Sequence, residues 1–226
     1  MVDPSDWSEF VRSRRSVRDF RPDPVPDDVL RAVIDDALAA PSWSNTQPYR
    51  LAVASGGQAE RIRGALAQRI HDAVVPDSDF EIPLAYPDDL QERRRATGFG
   101  LYEVLGIDRS DRAARDRQML RNFEFFGAPT ALFAFVHEGL GAYSVLDAGF
   151  MLQTLLLSAH ARGLGTCAQG ALAVWAGPVR AEFDVPDHYR LLCGVSVGYA
   201  SDHPVNEFAP GRPTVDEVLL TPADRC

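Results

Sequence analysis

Cysteine is scarce in this chain of 226 residues, which has only Cys167, Cys193 and Cys226, and no CxxC spacing occurs. An odd number of widely separated cysteines argues against a disulfide framework and against a zinc cluster. The segment Met1–Phe10 also lacks the basic and apolar regions of a signal peptide. These absences predict a protein of a reducing compartment, and we expect it in the cytoplasm without a bound metal.

Positive charge is outnumbered, because 23 basic residues face 32 acidic ones and the formal net charge is −9. A surface of this sign repels phosphate backbones, so non-specific binding to nucleic acid is not expected. A phosphorylated cofactor would therefore need a local basic patch that works against the field of the whole molecule.

No long apolar run is free of polar groups. The most apolar stretch, residues 142–164, contains Asp147, Gln153, His160 and Arg162. Crossing a bilayer would bury these groups in lipid, which is costly. The sequence therefore predicts a core helix and no association with a membrane.

Familiar catalytic motifs are also missing: HExxH, GxSxG and GxxxxGK[ST] do not occur. Residues 163–168 match GxGxxA in form, but a dinucleotide-binding turn must follow a strand and open a helix, and this segment follows a long apolar helix. We therefore expect that any redox cofactor is held by something other than a dinucleotide-binding fold.

Hydrophobic periodicity and turn residues predict one domain of mixed helices and strands. The pattern Asp6-x-x-Glu9 resembles a capping box at the start of a first helix, and a second helix begins near Pro26 and ends before Pro41. Gly163 is predicted to end a long helix in the left-handed conformation. Further helices are predicted at residues 59–70, 88–105, 110–125 and 143–162, a helical turn at 178–183, and strands at 49–54, 130–136, 166–168 and 191–199.

The first candidate site is the basic segment Arg12-Ser13-Arg14-Arg15-Ser16-Val17-Arg18. Guanidinium groups bind phosphate oxygens and ring carbonyls with two parallel hydrogen bonds, and a serine adds a hydroxyl. Taken alone, the segment describes a solvated positive face equally well.

The second candidate site is the segment Pro41-Ser42-Trp43-Ser44-Asn45-Thr46-Gln47-Pro48. Its amide and hydroxyl groups lie beside the flat surfaces of proline and tryptophan. Such a loop suits a heteroaromatic ring with a polar edge, although an ordinary turn between a helix and a strand would have a similar composition.

Four ordered segments, including these two, resemble the nitroreductase family of flavoproteins. The others are Gly163–Gly170, and Val197-Gly198-Tyr199-Ala200 followed by a tail with Asn206 and Arg212. The resemblance spans residues 12–219. It implies an α+β, three-layer fold with a mixed, mostly antiparallel sheet flanked by helices, in a homodimer with domain-swapped arms. It also implies one domain over residues 1–226, with a variable lid at about 72–126 and a C-terminal arm at about 200–226.

Members of this family bind FMN at the dimer interface. By resemblance, Arg14, Ser16 and Arg212 hold the phosphate and nearby ribityl oxygens. Arg18 approaches the N1–C2=O edge of the flavin, where lysine is common in the family. Gln169 and Gly170 offer backbone groups to flavin N5; glutamate is frequent at position 169, so the amide removes a negative charge. The full implied set of cofactor-binding residues is Arg14, Arg15, Ser16, Arg18, Pro41, Ser42, Trp43, Ser44, Asn45, Gln47, Gln169, Gly170 and Arg212.

The resemblance also implies that residues 42–45 come from the other subunit and pack on the flavin ring. The long helix 143–162 would supply much of the interface, and the proline-rich tail would wrap over the partner.

The implied activity is a ping-pong transfer of hydride from NAD(P)H to an oxidised acceptor through flavin N5, without a catalytic side chain. Segment 93–107 resembles members that reduce nitroaromatics of the nitrobenzoate type, and the candidate substrate contacts are Trp43, Arg94, Tyr102 and Phe123. Each group also has an alternative to substrate binding. Arg93–Arg95 would face solvent or pair with Asp88, Asp89 or Glu92, and the phenylalanines would belong to the core. NADH and NADPH are not distinguished. Ene-reduction, dehalogenation, substrate dehydrogenation and a non-catalytic FMN sensor or carrier are the alternative functions.

Overall fold

The computed structural model describes residues 3–83 and 85–221, and four strands in these ranges form one sheet in the order β1-β2-β4-β3. They are β1 Tyr49–Ser55, β2 Thr130–His137, β3 Gly165–Gln169 and β4 Tyr189–Gly198. All three strand pairs are antiparallel, and parallel pairing is limited to isolated bridges such as Ser16 with Thr166. The four predicted strands are confirmed. Strand β4 begins two residues earlier than predicted, because a register shift at Ala134/Phe135 lets Tyr189 and Arg190 pair with β2.

Helices surround this sheet. They are α1 Pro4–Ser13, α2 Asp27–Ala37, α3 Gly56–His71, α4 Asp88–Val104, α5 Arg112–Leu120, α6 Ala142–Ala161, α7 Gly177–Arg180 and α8 Val215–Val218. The predicted capping box at the first helix is wrong. The Asp3 carboxylate instead accepts the Ser5 N–H at 2.8 Å, and the proline at the start of α1 supplies a pre-set φ angle. The capping box occurs at α8, between Thr214 and Glu217.

The core is divided by the sheet into two apolar clusters. Alternate residues of β2 point to opposite faces, with Phe133 and Phe135 on one face and Leu132 and Val136 on the other. The phenylalanine face packs against α3 and the segment after α5, whereas the other face packs against α2 and α6. The α+β, three-layer fold is therefore confirmed.

Helix α6 is long and apolar enough to cross a membrane by length and composition alone. It nevertheless buries Asp147 and Ser158 against protein, and one side of it packs on the sheet. Gly163, at φ +72°, ends it as predicted: its N–H donates to His160 O, and the next N–H donates to Ala159 O, both at 3.0 Å. The GxGxxA match therefore closes a helix and opens β3.

Within residues 72–126, the two helices α4 and α5 contribute little to the core. Neither α4 nor α5 has a fully buried residue. Helix α5 ends at Leu120, so the prediction of a helix through residue 125 is wrong. Phe125 and Phe126 adopt φ angles of +56° and +54°, which turns both rings into the core beneath β2. Apolar burial overrides helical periodicity here.

Candidate functional site

The basic segment lies beside the sheet edge formed by β3. Ser16 pairs with Thr166, and the Val17 N–H donates to Thr166 O at 2.9 Å. The tail brings Arg212 to the same place, so residues distant in sequence enclose one cavity of about 500 Å³. Its polar lining comes from Arg12, Arg14, Arg15, Ser16, Gln153 and Arg212. The structure thus brings together the residues assigned to phosphate binding by resemblance.

Positive charge in this cavity lacks a counter-charge within the described part of the chain. No carboxylate there forms an ion pair with Arg14, Arg15 or Arg212. The pKa of Arg14 is lowered, first by burial and then by the charges of Arg212 and Arg15. Arg14 and Arg15 are half-buried, and Arg212 is exposed. Guanidinium groups gathered in this way repel one another, and a bound anion relieves that repulsion.

Asn206 joins the tail to the basic segment. Its Oδ1 accepts the N–H groups of Arg18 at 2.9 Å and Asp19 at 3.2 Å. Its Nδ2 donates to the carbonyls of Asp19 at 2.8 Å and Ser201 at 3.0 Å. The resemblance included Asn206 without giving it a role, and nothing in the local sequence predicts this contact between distant segments.

The cations of the basic segment also lie close to β3. Burial raises the pKa of the Cys167 thiol to about 11, and the charges of Arg18 and Arg14 oppose this shift. Three residues further on, Gly170 is exposed, and a Cβ atom at this position would meet no atom within 4 Å. A flat ligand held by the guanidinium groups could therefore approach the backbone here.

The side chain of Gln169 faces the core. Its Nε2 donates to Asn122 O at 3.0 Å and to Asn122 Oδ1 at 3.2 Å, while its Oε1 accepts the Ser196 hydroxyl. Since Gln169 is only 4% exposed, a ligand can contact little more than its backbone. The side-chain amide of Gln169 therefore has a structural role, because it supplies the hydrogen-bond donor to the two Asn122 oxygens.

Replacement of Gln169 by glutamate should lower the free energy of unfolding by about 2–4 kcal/mol, because a buried carboxylate would face two carbonyl oxygens in place of a donor. Urea unfolding at pH 7.5 measures the effect. Gln118→Glu on α5 is the matched control, because the Gln118 side chain makes no hydrogen bond within residues 3–83 and 85–221. Equal stability of the two variants would contradict this interpretation.

The loop Ser42–Gln47 has an unusual backbone. Ser44, Asn45 and Gln47 adopt φ angles of +49°, +56° and +41°, in the left-handed region that favours glycine. The Gln47 N–H donates to Ser42 Oγ at 3.0 Å, and the Asn45 N–H donates to Ser42 O at 3.0 Å. Because non-glycine residues in this region are strained, surrounding contacts must hold the loop.

Contacts from the start of α6 hold this loop. The ring of Trp43 lies 4.4 Å from that of Tyr143, centroid to centroid, and the Trp43 N–H lies 3.0–3.1 Å from the two oxygens of Asp147. The basic segment instead meets the last turn of α6, where Ser13 Oγ lies 2.7 Å from His160 Nε2. Positions 147 and 160 are separated by about 20 Å of helix. The cavity lining includes Gln153 of α6 but no residue of the loop, so within one chain the structure does not place the loop in the basic cavity.

The arginines of α4 are exposed. Arg94 lies over the ring of Tyr86, with its Cζ 5.0 Å from the centroid. Arg93 is near Glu217, whose pKa is lowered by hydrogen bonds from Thr214 and then by that charge. The proposed pairing of these arginines with Asp88, Asp89 or Glu92 does not occur within the described residues.

The aromatic substrate candidates occupy different environments. Tyr102 is half-buried on α4, whereas the side chain of Trp43 is 53% exposed. Phe123 is 7% exposed and packs against Trp175, with ring centroids 5.4 Å apart. Phe123 therefore lies in the core beneath the sheet, where burial leaves little of its side chain for contact with a substrate.

Fold and cavity together define an α+β protein with an arginine-lined cavity at one edge of an antiparallel sheet. Comparison with known proteins is more specific. The model of the nitroreductase family matches residues 11–199, and the chain therefore belongs to the nitroreductase family.

Curated relatives and solved structures agree with this assignment. A 4-nitrobenzoate reductase of Pseudomonas putida is 38% identical over 203 residues, covering 88% of this chain and 87% of the relative. Another, from a Nocardioides species, is 36% identical over 93% of this chain and 87% of its own length. The structure of the FMN-dependent nitroreductase NfnB from Mycobacterium smegmatis in complex with NADPH superposes with a TM-score of 0.90, at 35% identity over 98% of this chain and 100% of that one.

Proposed function

We propose that this chain is an FMN-dependent nitroreductase that takes reducing equivalents from NADPH or NADH and reduces a nitroaromatic acid, as a cytoplasmic homodimer. The observation that carries the proposal is the cavity of Arg14, Ser16 and Arg212, whose positive charge has no counter-charge in the described residues. The relation to an FMN-dependent enzyme seen with NADPH supports it and favours NADPH as the donor.

FMN fits the residues present. Its phosphate would be held by Arg14, Ser16 and Arg212, with Arg15 adding positive charge, and Arg18 would place a fixed cation at the pyrimidine edge of the ring. Gly170 offers open backbone, because a Cβ atom there would meet no atom within 4 Å. When bound, FMN supplies a carrier for two electrons and a hydride. This chain contributes binding, orientation and charge, and we propose a ping-pong order in which the nicotinamide leaves before the acceptor binds.

A second copy of the chain would complete the site. The outer face of α6 exposes Tyr143, Leu146 and Phe150 at 44–50% of their surfaces, which suits an interface between copies. The tail around α8 also exposes apolar side chains, with Leu219 at 66%. We propose that α6 faces its counterpart and that the tail covers the partner. The Ser42–Gln47 loop of one subunit, with Pro41, would then meet the FMN of the other.

The acceptor would enter a groove of about 390 Å³ that runs from Gly170 to Tyr86. Arg94 stands over the Tyr86 ring and could pair with a carboxylate at this end, and Tyr102 is a further candidate contact. The 4-nitrobenzoate reductases among the relatives support a nitrobenzoate-type substrate.

The proposal is tested by the visible spectrum of the purified protein during anaerobic addition of NADPH or NADH. We expect flavin bands that bleach and return on addition of 4-nitrobenzoate. Nitrobenzene is the matched acceptor without a carboxylate, and we expect it to have the higher KM. If neither NADPH nor NADH bleaches the flavin bands, the result would favour a flavin sensor, a flavin carrier or a substrate dehydrogenase. Reduction that only enones or aryl halides reverse would favour ene-reduction or dehalogenation. Failure to bind FMN would overturn the proposal.

A further inference from the structure

Asp147 is a buried acid that the proposed chemistry does not use. It is 2% exposed, and no cation forms an ion pair with it within residues 3–83 and 85–221. In the same ranges, its recorded hydrogen-bond donor is the Trp43 N–H, at 3.1 Å from Oδ1 and 3.0 Å from Oδ2. Burial of an acid without an ion pair is costly, so a stability role alone explains Asp147 poorly.

The surroundings of Asp147 point to the same loop. Tyr143 lies one helical turn earlier on the same face of α6 and packs its ring on that of Trp43. Tyr49, which begins β1 immediately after the loop, is buried, and its hydroxyl has no hydrogen-bond partner in the described part of the chain. Burial and then the charge of Asp147 raise the pKa of this tyrosine, which places the acid near both ends of the loop.

The loop needs such a contact because three of its non-glycine residues are strained. Its internal hydrogen bonds close turns between Ser42 and Gln47, but they do not join the loop to the rest of the protein. Trp43 supplies that connection through two groups: its indole ring meets Tyr143, and its backbone N–H meets Asp147. The backbone contact is the more directional of the two.

We propose that Asp147 is a positioning residue, which fixes the backbone of the Ser42–Gln47 loop through the Trp43 amide so that the loop is already formed when it packs on flavin. The inference rests on the proposed function, because it assumes that this loop meets FMN. It adds a residue on α6 that contacts neither the cofactor nor the substrate and controls flavin affinity through the loop.

The test compares Asp147→Leu and Asp147→Asn with the wild-type dimer. Leucine has the same branched shape with a larger volume and removes the acceptor, whereas asparagine is isosteric and keeps one oxygen that can accept the Trp43 N–H. Loss of a hydrogen bond to a charged acceptor should weaken FMN binding about tenfold or more in Asp147→Leu, with a smaller loss in Asp147→Asn. The matched control is Asp36→Asn, which removes the negative charge from the contacts of α2 with Ser158 and Arg162 near the other end of α6.

Two readouts are needed: the Kd for FMN, and chymotryptic cleavage after Trp43 in the protein without FMN, both measured well below the unfolding temperature. We expect faster cleavage and a raised Kd in Asp147→Leu, and wild-type values for both in Asp36→Asn. Unchanged cleavage and Kd in Asp147→Leu would overturn the inference, as would equal changes in the control. Should Asp147→Leu fail to fold, graded changes in Asp147→Asn decide the matter. If the wild type does not bind FMN, the proposed function has failed, and cleavage alone still shows whether Asp147 holds the loop.

Discussion

Replacement of Arg14 by alanine is expected to weaken FMN binding by about 100-fold or more, so that the protein is purified without its yellow colour. The physical reason is the loss of a paired, charge-assisted interaction with phosphate in a half-buried cavity, which costs several kcal/mol. Arg212 and Arg15 also line the cavity, so some affinity for FMN remains. Fluorescence titration of the apoprotein with FMN measures the change.

The same substitution should not destabilise the protein when FMN is absent. The pKa of Arg14 is lowered by burial and by Arg212, so folding brings this charge into an unfavourable environment. Arginine stays protonated throughout the neutral range, and the penalty is therefore constant between pH 6 and 9. We expect Arg14→Ala to keep or raise the Tm of the apoprotein over this range while abolishing stabilisation by FMN.

Two further variants separate charge from geometry. Arg14→Lys keeps the charge but lacks the planar fork, and an intermediate loss of about tenfold in FMN affinity is expected. Arg31→Gln removes an exposed arginine from α2 and controls for the change in net charge. If Arg14→Ala bound FMN as tightly as this control, the assignment of the phosphate site would be wrong.

The sequence predicts the fold well where local signals decide the structure. The apolar run at residues 130–136 predicts a buried strand, and β2 is that strand. Gly163 is predicted to end α6 in the left-handed conformation, and its φ angle of +72° confirms this. Predictions fail where tertiary packing overrides local pattern. Phe125 and Phe126 leave the helical conformation because their rings are buried beneath the sheet.

For the candidate site, the sequence predicts which residue types are present but not which way their side chains point. The basic segment and Arg212 do line one cavity. In contrast, Gln169 turns its side chain towards Asn122, which a motif match at position 169 alone cannot reveal. The contacts of Asn206 and Asp147 depend on segments far apart in the chain, so no local pattern could have predicted them.

A heterodimer whose two subunits carry different pairs of substitutions should have about half of the wild-type activity, although a homodimer that carries either pair in both subunits should be inactive. One protomer would carry Arg14→Ala and Arg212→Ala, and the other would carry Trp43→Ala and Asn45→Ala. If each site combines the basic cavity of one subunit with the loop of the other, this heterodimer has one intact site and one site with both lesions. Differently tagged chains, co-expressed and purified in two steps, provide the sample.

The reciprocal heterodimer is the control, because it pairs a wild-type chain with a chain that carries all four substitutions. Sites shared between subunits leave it without an intact site, whereas a site within one chain would leave it half active. The two arrangements therefore predict opposite results for the same pair of samples. No residue of the Ser42–Gln47 loop lines the basic cavity of its own chain, which favours sharing between subunits. An active control together with an inactive first heterodimer would place the whole site in one chain and contradict the proposed dimer.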